Sequence, residues 1–337
     1  MTVGAPEFTH ALAGHCASGS LRDVLAHRGL DFGAGPLSEG MCFGLGSGLG
    51  FLYADVPAET PAIYVVGRTE ALEEAFAENL GIDLDVRETD DRARAAAWLD
   101  DELQRGRPPI VWSDIAELEY LRVRMSNTRH AIVIAGVDRE AGVAWIADND
   151  REELQPCSLA SLARARDSRG FPGRNRNRTF VFDWPTSLSD PAGAARAAIT
   201  GAVANMRNGG TRLGGLDAPA GLQGVEAFTH AYRRWPDDHG DALPGVLAAL
   251  SIFIVKAGTG GALFRSLWAE FLHDMASLLD DPGLRAAAVQ ADGLAAGWRE
   301  LAAVARAADH AAGIPIADRL LDEERAQVEL LETWLER

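Results

Sequence analysis

Three residues far apart in the chain carry the types that nucleophilic catalysis at a carbonyl requires. Cys16 lies in Gly14-His15-Cys16-Ala17-Ser18-Gly19-Ser20, at the head of residues 17–28, where Leu21, Val24 and Leu25 share one helical face and Gly29 supplies the stop. A thiol at a helix N-terminus faces unpaired N–H groups and the positive end of the helix dipole, and both favour thiolate. Cysteine is often simply buried, but these flanks are small and polar rather than apolar. A thiolate nucleophile works with an imidazole as base and a third group that orients the imidazole. His130 opens the apolar run Ala131–Val137, and the next run, Val143–Ala147, is followed by Asp148-Asn149-Asp150. If the two runs pair as strands across the turn Asp138–Gly142, the start of the first lies beside the end of the second. That pairing sets His130 next to Asp148.

The elements that must position these groups alternate between helix and strand through the first half. Residues 17–28, 69–80 and 92–103 carry helical periodicity, and Ile63–Val66, Ile110–Trp112, Ala131–Val137, Val143–Ala147 and Thr179–Trp184 read as strands. After Trp184-Pro185 the chain becomes rich in Ala, Leu and Arg. Helical spacing there covers 191–207, 243–257, 262–280, 284–311 and 316–336, separated by Asn208-Gly-Gly210, Asp281-Pro-Gly283 and Gly313-Ile-Pro315. The expected organisation is an α+β catalytic domain over residues 1–187 and a mostly helical C-terminal domain over 188–337. Residues 230–240, which mix aromatic and charged side chains, read as a polar inter-helix loop, with an acceptor pocket as the alternative. His273 and Asp274 read as the exposed face of a helix.

The 337 residues include 32 basic and 49 acidic side chains, a formal charge of −17. Such a chain is repelled by phosphate, which argues against nucleic-acid and anionic-membrane partners. No continuous apolar run approaches the ~20 residues of a membrane span. The opening MTVGAPEFTH has neither a basic nor an apolar signal region, so no secretory leader is expected. Lys256 is the sole lysine and alanine is abundant, a bias that points to a GC-rich, bacterial genome rather than to chemistry. Cys16, Cys42 and Cys157 are too few and too irregularly spaced for a disulfide framework or a metal site. A reduced, cytoplasmic setting is expected. Cys42, within Met41-Cys42-Phe43, reads as core, and Cys157 is assigned no role. Phe43-Gly-Leu-Gly46-Ser-Gly48-Leu-Gly50 departs from the dinucleotide fingerprint at its third glycine and reads as close backbone packing or a pocket wall.

The order of cysteine at a helix start, histidine on a strand and aspartate at the end of the neighbouring strand resembles the papain-like arrangement. More specifically, His15-Cys16-Ala-Ser-Gly-Ser-Leu21, Leu37-Ser-Glu39-Gly-Met-Cys-Phe43-Gly-Leu-Gly46 and His130 through Asp148 resemble the N-terminal domain family of butirosin biosynthesis protein H. Ala257-Gly-Thr-Gly-Gly261-Ala-Leu-Phe-Arg265, with Phe271-Leu272, resembles the uncharacterised helical domain that usually follows it. The resemblance implies a papain-like cysteine acyltransferase of antibiotic (secondary) metabolism. An acyl carrier protein would be its donor partner, the carrier's phosphopantetheine the donor arm, and a small-molecule amine the acceptor, with no cofactor bound. Carried over, Cys16 takes the acyl group as a thioester, His130 is general base and acid, and Asp148 orients His130.

The same resemblance leaves several residues with two readings. No Gln stands before Cys16 to complete an oxyanion hole, so His10 and His15 are the candidate side-chain donors beside the Cys16 N–H. Glu39 and Ser18 are candidate substrate-binding residues, and Glu39 reads equally as a carboxylate near a helix N-cap. The basic segment Arg164, Arg166, Arg169, Arg174, Arg176, Arg178 reads as a solvated loop or, through Arg174, Arg176 and Arg178, as a docking site for an acidic carrier protein. A cysteine hydrolase, an intramolecular acyl-transfer cyclase with the same triad and a non-catalytic scaffold are the alternative functions. Acyl donor, acceptor and oligomeric state are open at this level.

Overall fold

The computed structural model describes residues 5–56, 59–209 and 218–337. Met1–Gly4 of the opening stretch and Gly210 of the separator at 208–210 lie outside them. In chain order the described elements are α1 (Cys16–Arg28), α2 (Glu39–Leu45), β1 (Leu49–Asp55), β2 (Ile63–Arg68), α3 (Leu72–Leu80), β3 (Asp83–Arg87), α4 (Arg92–Gln104), β4 (Ile110–Ser113), β5 (His130–Asp138), β6 (Val143–Ala147), β7 (Gln155–Ser158), α5 (Leu159–Arg166), β8 (Thr179–Asp183), α6 (Pro191–Asn208), α7 (Gly221–His239), α8 (Leu243–Val255), α9 (Arg265–Leu278), α10 (Pro282–Arg306) and α11 (His310–Leu335). The class is α+β, with a sheet-bearing N-terminal part and a helical C-terminal part.

Contacts gather the chain into two units, residues 1–39 with 80–189 and residues 40–79 with 190–337. The expected cut at 187 falls close to the second junction, at Ser189. It fails for Gly40–Asn79, which lies inside the sequence segment of the first unit and packs with the second. The physical reason is burial. β1 is buried at every position but its last, and it finds its apolar neighbours on α6 and α7.

The first unit is built on a six-stranded antiparallel sheet in the order β3-β8-β4-β5-β6-β7. Apolar residues of β4, β5, β6, α4 and α5, among them Val111, Ile132, Ile134, Ile146, Leu99 and Leu162, form a core on one side of it. The β5–β6 hairpin pairs Val133 with Ala147 and Ile134 with Ile146, so the two runs do pair across the turn 138–142. The sequence reading missed both edge strands. β3 is short and charged on alternate residues (Asp-Leu-Asp-Val-Arg), and β7 holds Pro156, which only an edge tolerates well because proline donates no ladder hydrogen bond.

The second unit joins the β1–β2 hairpin to α6–α11. Trp235, Trp268 and Trp298 are fully buried in it, and burying a large apolar side chain contributes about 1.5–3 kcal/mol each. At its centre Arg265 is also fully buried. Its Nε donates to Glu324 Oε1 at 2.7 Å, and its Nη1 donates to the carbonyls of Gly50, Gly67 and Leu263 at 3.1, 2.9 and 2.9 Å. Trp298 Nε1 donates to the same Glu324 oxygen at 2.9 Å. The Arg265 of the Ala257–Arg265 motif thus ties the hairpin to the last helix. The glycine-rich stretch is close packing, since a Cβ on Gly44 would lie 1.9 Å from the Phe271 ring and one on Gly48 would lie 2.6 Å from Phe43.

Residues 230–240 are not a loop. They form the end of α7 and the turn after it, and Val225, Phe228, Thr229, Tyr232 and Trp235 of that helix make a buried stripe at helical spacing. Charges on the opposite face and Pro236 in the last turn obscured that periodicity. Pro315, expected as a separator, sits inside α11 near its start. Through the turn Gly240–Ala242, α7 runs on into α8, and Gly221–Val255 contains an 18-residue window of mean hydropathy 1.3 that is 28% buried. Among the described residues this one helical run is apolar and long enough to cross a membrane by length and composition. Its uncharged stretch, between Asp241 and Lys256, is shorter than the ~20 residues of a span, and core helices pass the same test. His273, on α9, pairs with Asp292 Oδ2 at 2.7 Å on an exposed face.

Candidate active site

Cys16 is the first residue of α1, and the helix is capped by the residue before it. His15 has extended backbone (φ −144°, ψ 139°), and its side chain accepts from the Ser18 N–H. The segment leading into the helix is stitched to the end of the β5–β6 hairpin. Ala13 N donates to the Asn149 carbonyl at 3.0 Å, and Asn149 Nδ2 donates to the Ala13 carbonyl at 3.2 Å. This two-way bond brings the cysteine to the strand end that carries the aspartate. The thiol itself is half-buried, while Cys42 and Cys157 are buried.

His130, at the first position of β5, is 8% exposed, and Asp148 is fully buried. The imidazole Nε2 lies 3.0 Å from Asp148 Oδ2 and 3.1 Å from Oδ1. With Nε2–H turned to the carboxylate, Nδ1 is the nitrogen left for the thiol. Tyr120 Oη also donates to Asp148 Oδ2, at 2.7 Å, and the Asp150 N–H donates to Oδ1 at 3.3 Å. Tyr120 had no signal in the sequence. It stands in an irregular segment with no periodicity, and only the fold turns it to the carboxylate.

The electrostatics of the three groups are coupled. Burial alone would raise the Cys16 thiol, but the charge of His15 and hydrogen bonds from His130 and His15 outweigh it and hold the thiol well below its ordinary range. For His130, burial pulls downward and is overcome by the Asp148 charge and hydrogen bond together with Cys16, so the imidazole is held well above its usual value. Asp148 is lowered; burial opposes this, and His130, Tyr120 and the Asp150 N–H prevail. The arrangement favours a thiolate–imidazolium pair over a neutral thiol. Tyr120 is pushed well above its ordinary range, first by burial and then by the adjoining carboxylate, so it stays a donor.

The structure brings the other candidates to different places. His15 is buried, with Nδ1 3.1 Å from Ser18 Oγ, and it acts on Cys16 from the neighbouring position. His10 is occupied elsewhere: Nδ1 meets Asp23 Oδ2 at 2.5 Å and Nε2 meets the Arg151 carbonyl at 2.9 Å, so neither ring nitrogen is left for an oxyanion. Its pKa is raised, because Asp23 and the Arg151 carbonyl outweigh burial. Glu39, at the start of α2, accepts from Gly14 N at 2.8 Å, His15 N at 2.7 Å and Ser18 Oγ at 3.1 Å. Its carboxylate therefore holds the loop that presents Cys16, and Ser18 is buried against it. Both are engaged with the protein rather than open to a ligand.

Arg174, Arg176 and Arg178 are engaged too. Arg174 pairs with Asp90 and Asp167 at 3.1 and 2.8 Å, Arg176 with Glu88 and Asp90 at 3.3 Å each, and Arg178 with Glu88 at 3.0 Å. Arg178 also lies over the Trp112 ring at 4.5 Å. Arg166 is buried, donating to Thr179 Oγ1 at 2.8 Å. Among the described residues, no group of three or more His, Cys, Asp or Glu side chains is placed to hold a metal ion.

Fold and site together define a class: α+β proteins in which a half-buried thiol at a helix start faces a histidine–aspartate pair on a β-hairpin, followed by a helical domain. A family model for the N-terminal domain of butirosin biosynthesis protein H matches residues 15–149, and one for a domain of unknown function, DUF4872, matches residues 160–331. The chain belongs to this butirosin biosynthesis protein H N-terminal family, joined to that C-terminal domain. No curated protein matches the chain. The first match runs from His15 to Asn149 and so encloses Cys16, His130 and Asp148. The second begins within α5 and takes in β8, a strand of the first unit's sheet.

Proposed function

We propose that this protein is a cysteine acyltransferase of natural-product biosynthesis. It takes an acyl or aminoacyl group from a carrier-protein thioester onto Cys16 and passes it to an amine. The family's link to butirosin biosynthesis supports the setting. The observation that carries the reading is the thiolate-favouring contact of Cys16 with a buried His130–Asp148 pair.

In the proposed reaction the Cys16 thiolate attacks the thioester carbonyl, and the tetrahedral intermediate expels the carrier's pantetheine sulfur. The His130 imidazolium gives its Nδ1 proton to that leaving thiolate. The incoming amine then attacks the Cys16 thioester, His130 takes the amine proton, and the amide leaves as Cys16 returns to thiolate. Asp148 holds the ring through Nε2 in both steps. Exchange of one thioester for another is nearly isoenergetic, and amide formation drives the sequence forward. The Cys16 N–H, at the positive end of the α1 dipole, is the backbone donor assigned to the developing oxyanion. Of the two candidate imidazoles His15 adjoins Cys16, while His10 is engaged by Asp23 and the Arg151 carbonyl.

The test uses an acyl carrier protein loaded with a labelled acyl group. Intact-mass analysis is expected to find the acyl adduct on Cys16, and added amine to discharge it as amide. Cys16→Ala is expected to abolish both. Turnover by Cys16→Ala would refute the reading. Discharge to water alone, with amines present, would replace it with a hydrolase.

A further inference from the structure

The segment between Tyr120 and His130 is anchored at both ends on one carboxylate, since each of these side chains meets Asp148. Its middle, Arg122-Val123-Arg124-Met125, is exposed throughout. Val123 is 40% and Met125 72% exposed, unusual values for apolar side chains of this size. A second segment lies alongside it. Ser126 and Ser168 both donate to Asp114 Oδ2, at 2.8 and 2.6 Å, and Thr128 bonds the carbonyls of Phe171 and Gly173 through its N–H and hydroxyl at 2.8 and 2.6 Å. A Cβ on Gly170 would sit 1.8 Å from Ser126 Oγ, so the two segments touch at that glycine. Arg169 is exposed beside it, as is Phe171 at 46%.

The charges of these two segments differ from those of the neighbouring basic stretch. Arg174, Arg176 and Arg178 are matched by Glu88, Asp90 and Asp167, and Arg164 by Glu117 at 2.9 Å. Among the described residues, none forms an ion pair with Arg122, Arg124 or Arg169. On a chain of −17, three exposed and unmatched arginines interleaved with exposed Val123, Met125 and Phe171 make a local reversal of field. An acidic partner is repelled by the molecule as a whole and drawn to this place. The apolar side chains supply the water-excluding contact that charge alone does not. Arg124 is six residues from His130, so the face lies within ~20 Å of chain from the imidazole.

We infer that the paired segments 122–125 and 169–171 are the docking face for the donor. The donor is an acidic protein whose charged surface carries an apolar side chain and which presents its thioester on an extended arm. This rests on the acyl-transfer reading and moves the docking role from Arg174, Arg176 and Arg178 to Arg122, Arg124 and Arg169.

The experiment measures acylation of Cys16 in the full chain by two donors with the same acyl group, an acyl carrier protein and the small thioester of N-acetylcysteamine. In R122E/R124E the ratio of carrier-donor to small-donor kcat/KM is expected to fall about tenfold, and raised salt is expected to lower the wild-type ratio in the same direction. Met125→Ser, which leaves the charge unaltered, is expected to lower the ratio without changing its salt dependence. An unchanged ratio in both variants overturns the docking face and leaves the acyl-transfer reading standing. A wild-type Cys16 acylated by the small thioester alone overturns the carrier as donor, and this face with it. A wild-type Cys16 that neither donor acylates overturns both readings together.

Discussion

Replacing Asp148 with asparagine removes one negative charge and almost no volume, so it isolates what the carboxylate does for the pair it faces. His130 Nε2 lies 3.1 and 3.0 Å from Oδ1 and Oδ2, and a single N–H shared by two oxygens counts as one charge-assisted bond. Such a bond is worth about 1.5–3 kcal/mol, which corresponds to a loss of about 10–150-fold in a rate that depends on it. The direction follows from the sign of each shift. Asp148 raises His130, and the resulting imidazolium lowers Cys16. In Asp148→Asn the imidazolium is lost at lower pH and the thiolate appears only at higher pH. The assay is the pH dependence of Cys16 alkylation by iodoacetamide, read by mass spectrometry of the Cys16 peptide. The buried Cys42 and Cys157 serve as slow internal references. Wild type is expected to react at full rate from pH values well below an ordinary thiol's midpoint. The variant is expected to show the acid limb displaced upward and the neutral-pH rate reduced by the factor above. Coincident profiles for the two proteins would refute the coupling of carboxylate to thiol.

Other outcomes follow from the same geometry. Tyr120→Phe takes a donor from Asp148 Oδ2 and is expected to lower kcat by about tenfold or less with KM nearly unchanged, since one hydrogen bond to a charged group is removed. Glu39→Gln replaces one of the two carboxylate oxygens that accept from the Gly14 and His15 N–H groups and Ser18 with an NH2 donor and leaves the other neutral. It is expected to cost about 1–3 kcal/mol in urea unfolding and to slow Cys16 alkylation. Arg265→Met strands the buried Glu324 carboxylate and is expected to destabilise by about 3–5 kcal/mol, with much of the loss restored in R265M/E324M because both charges are then gone.

The three candidate site residues were legible because each sits at a boundary that local patterning marks. Cys16 precedes an amphipathic helix, and His130 and Asp148 flank a hairpin whose turn is written in Asp138–Gly142. The pairing of β5 with β6 then follows from that turn between two apolar runs. The supporting residues were opaque for the opposite reason. Glu39 acts by receiving backbone N–H groups from residues 24 and 25 positions earlier, and a backbone donor leaves no trace in residue type. The arginines at 174–178 looked like a landing site because sequence counts charges without showing Glu88 and Asp90, which neutralise them from almost ninety positions away. The assignment of Gly40–Asn79 was hidden likewise, since a strand such as β1, buried on both faces up to its last residue, carries no alternation to say which core it enters.

The interleaving of the two units sets an order on biosynthesis. β8 lies between β3 and β4 in the sheet, so the first sheet cannot close until residues 179–183 have left the ribosome. The β1–β2 hairpin, made much earlier, must wait longer still. Its partners lie in α6, α7 and α8, and Arg265, which bonds its Gly50 and Gly67 carbonyls, completes its ion pair only when Glu324 arrives. A chain stopped at residue 149 would hold Cys16, His130 and Asp148 and still lack the strand that joins β3 to the rest of their sheet. Until those helices follow, the nascent hairpin keeps exposed the apolar side chains that they cover in the folded chain.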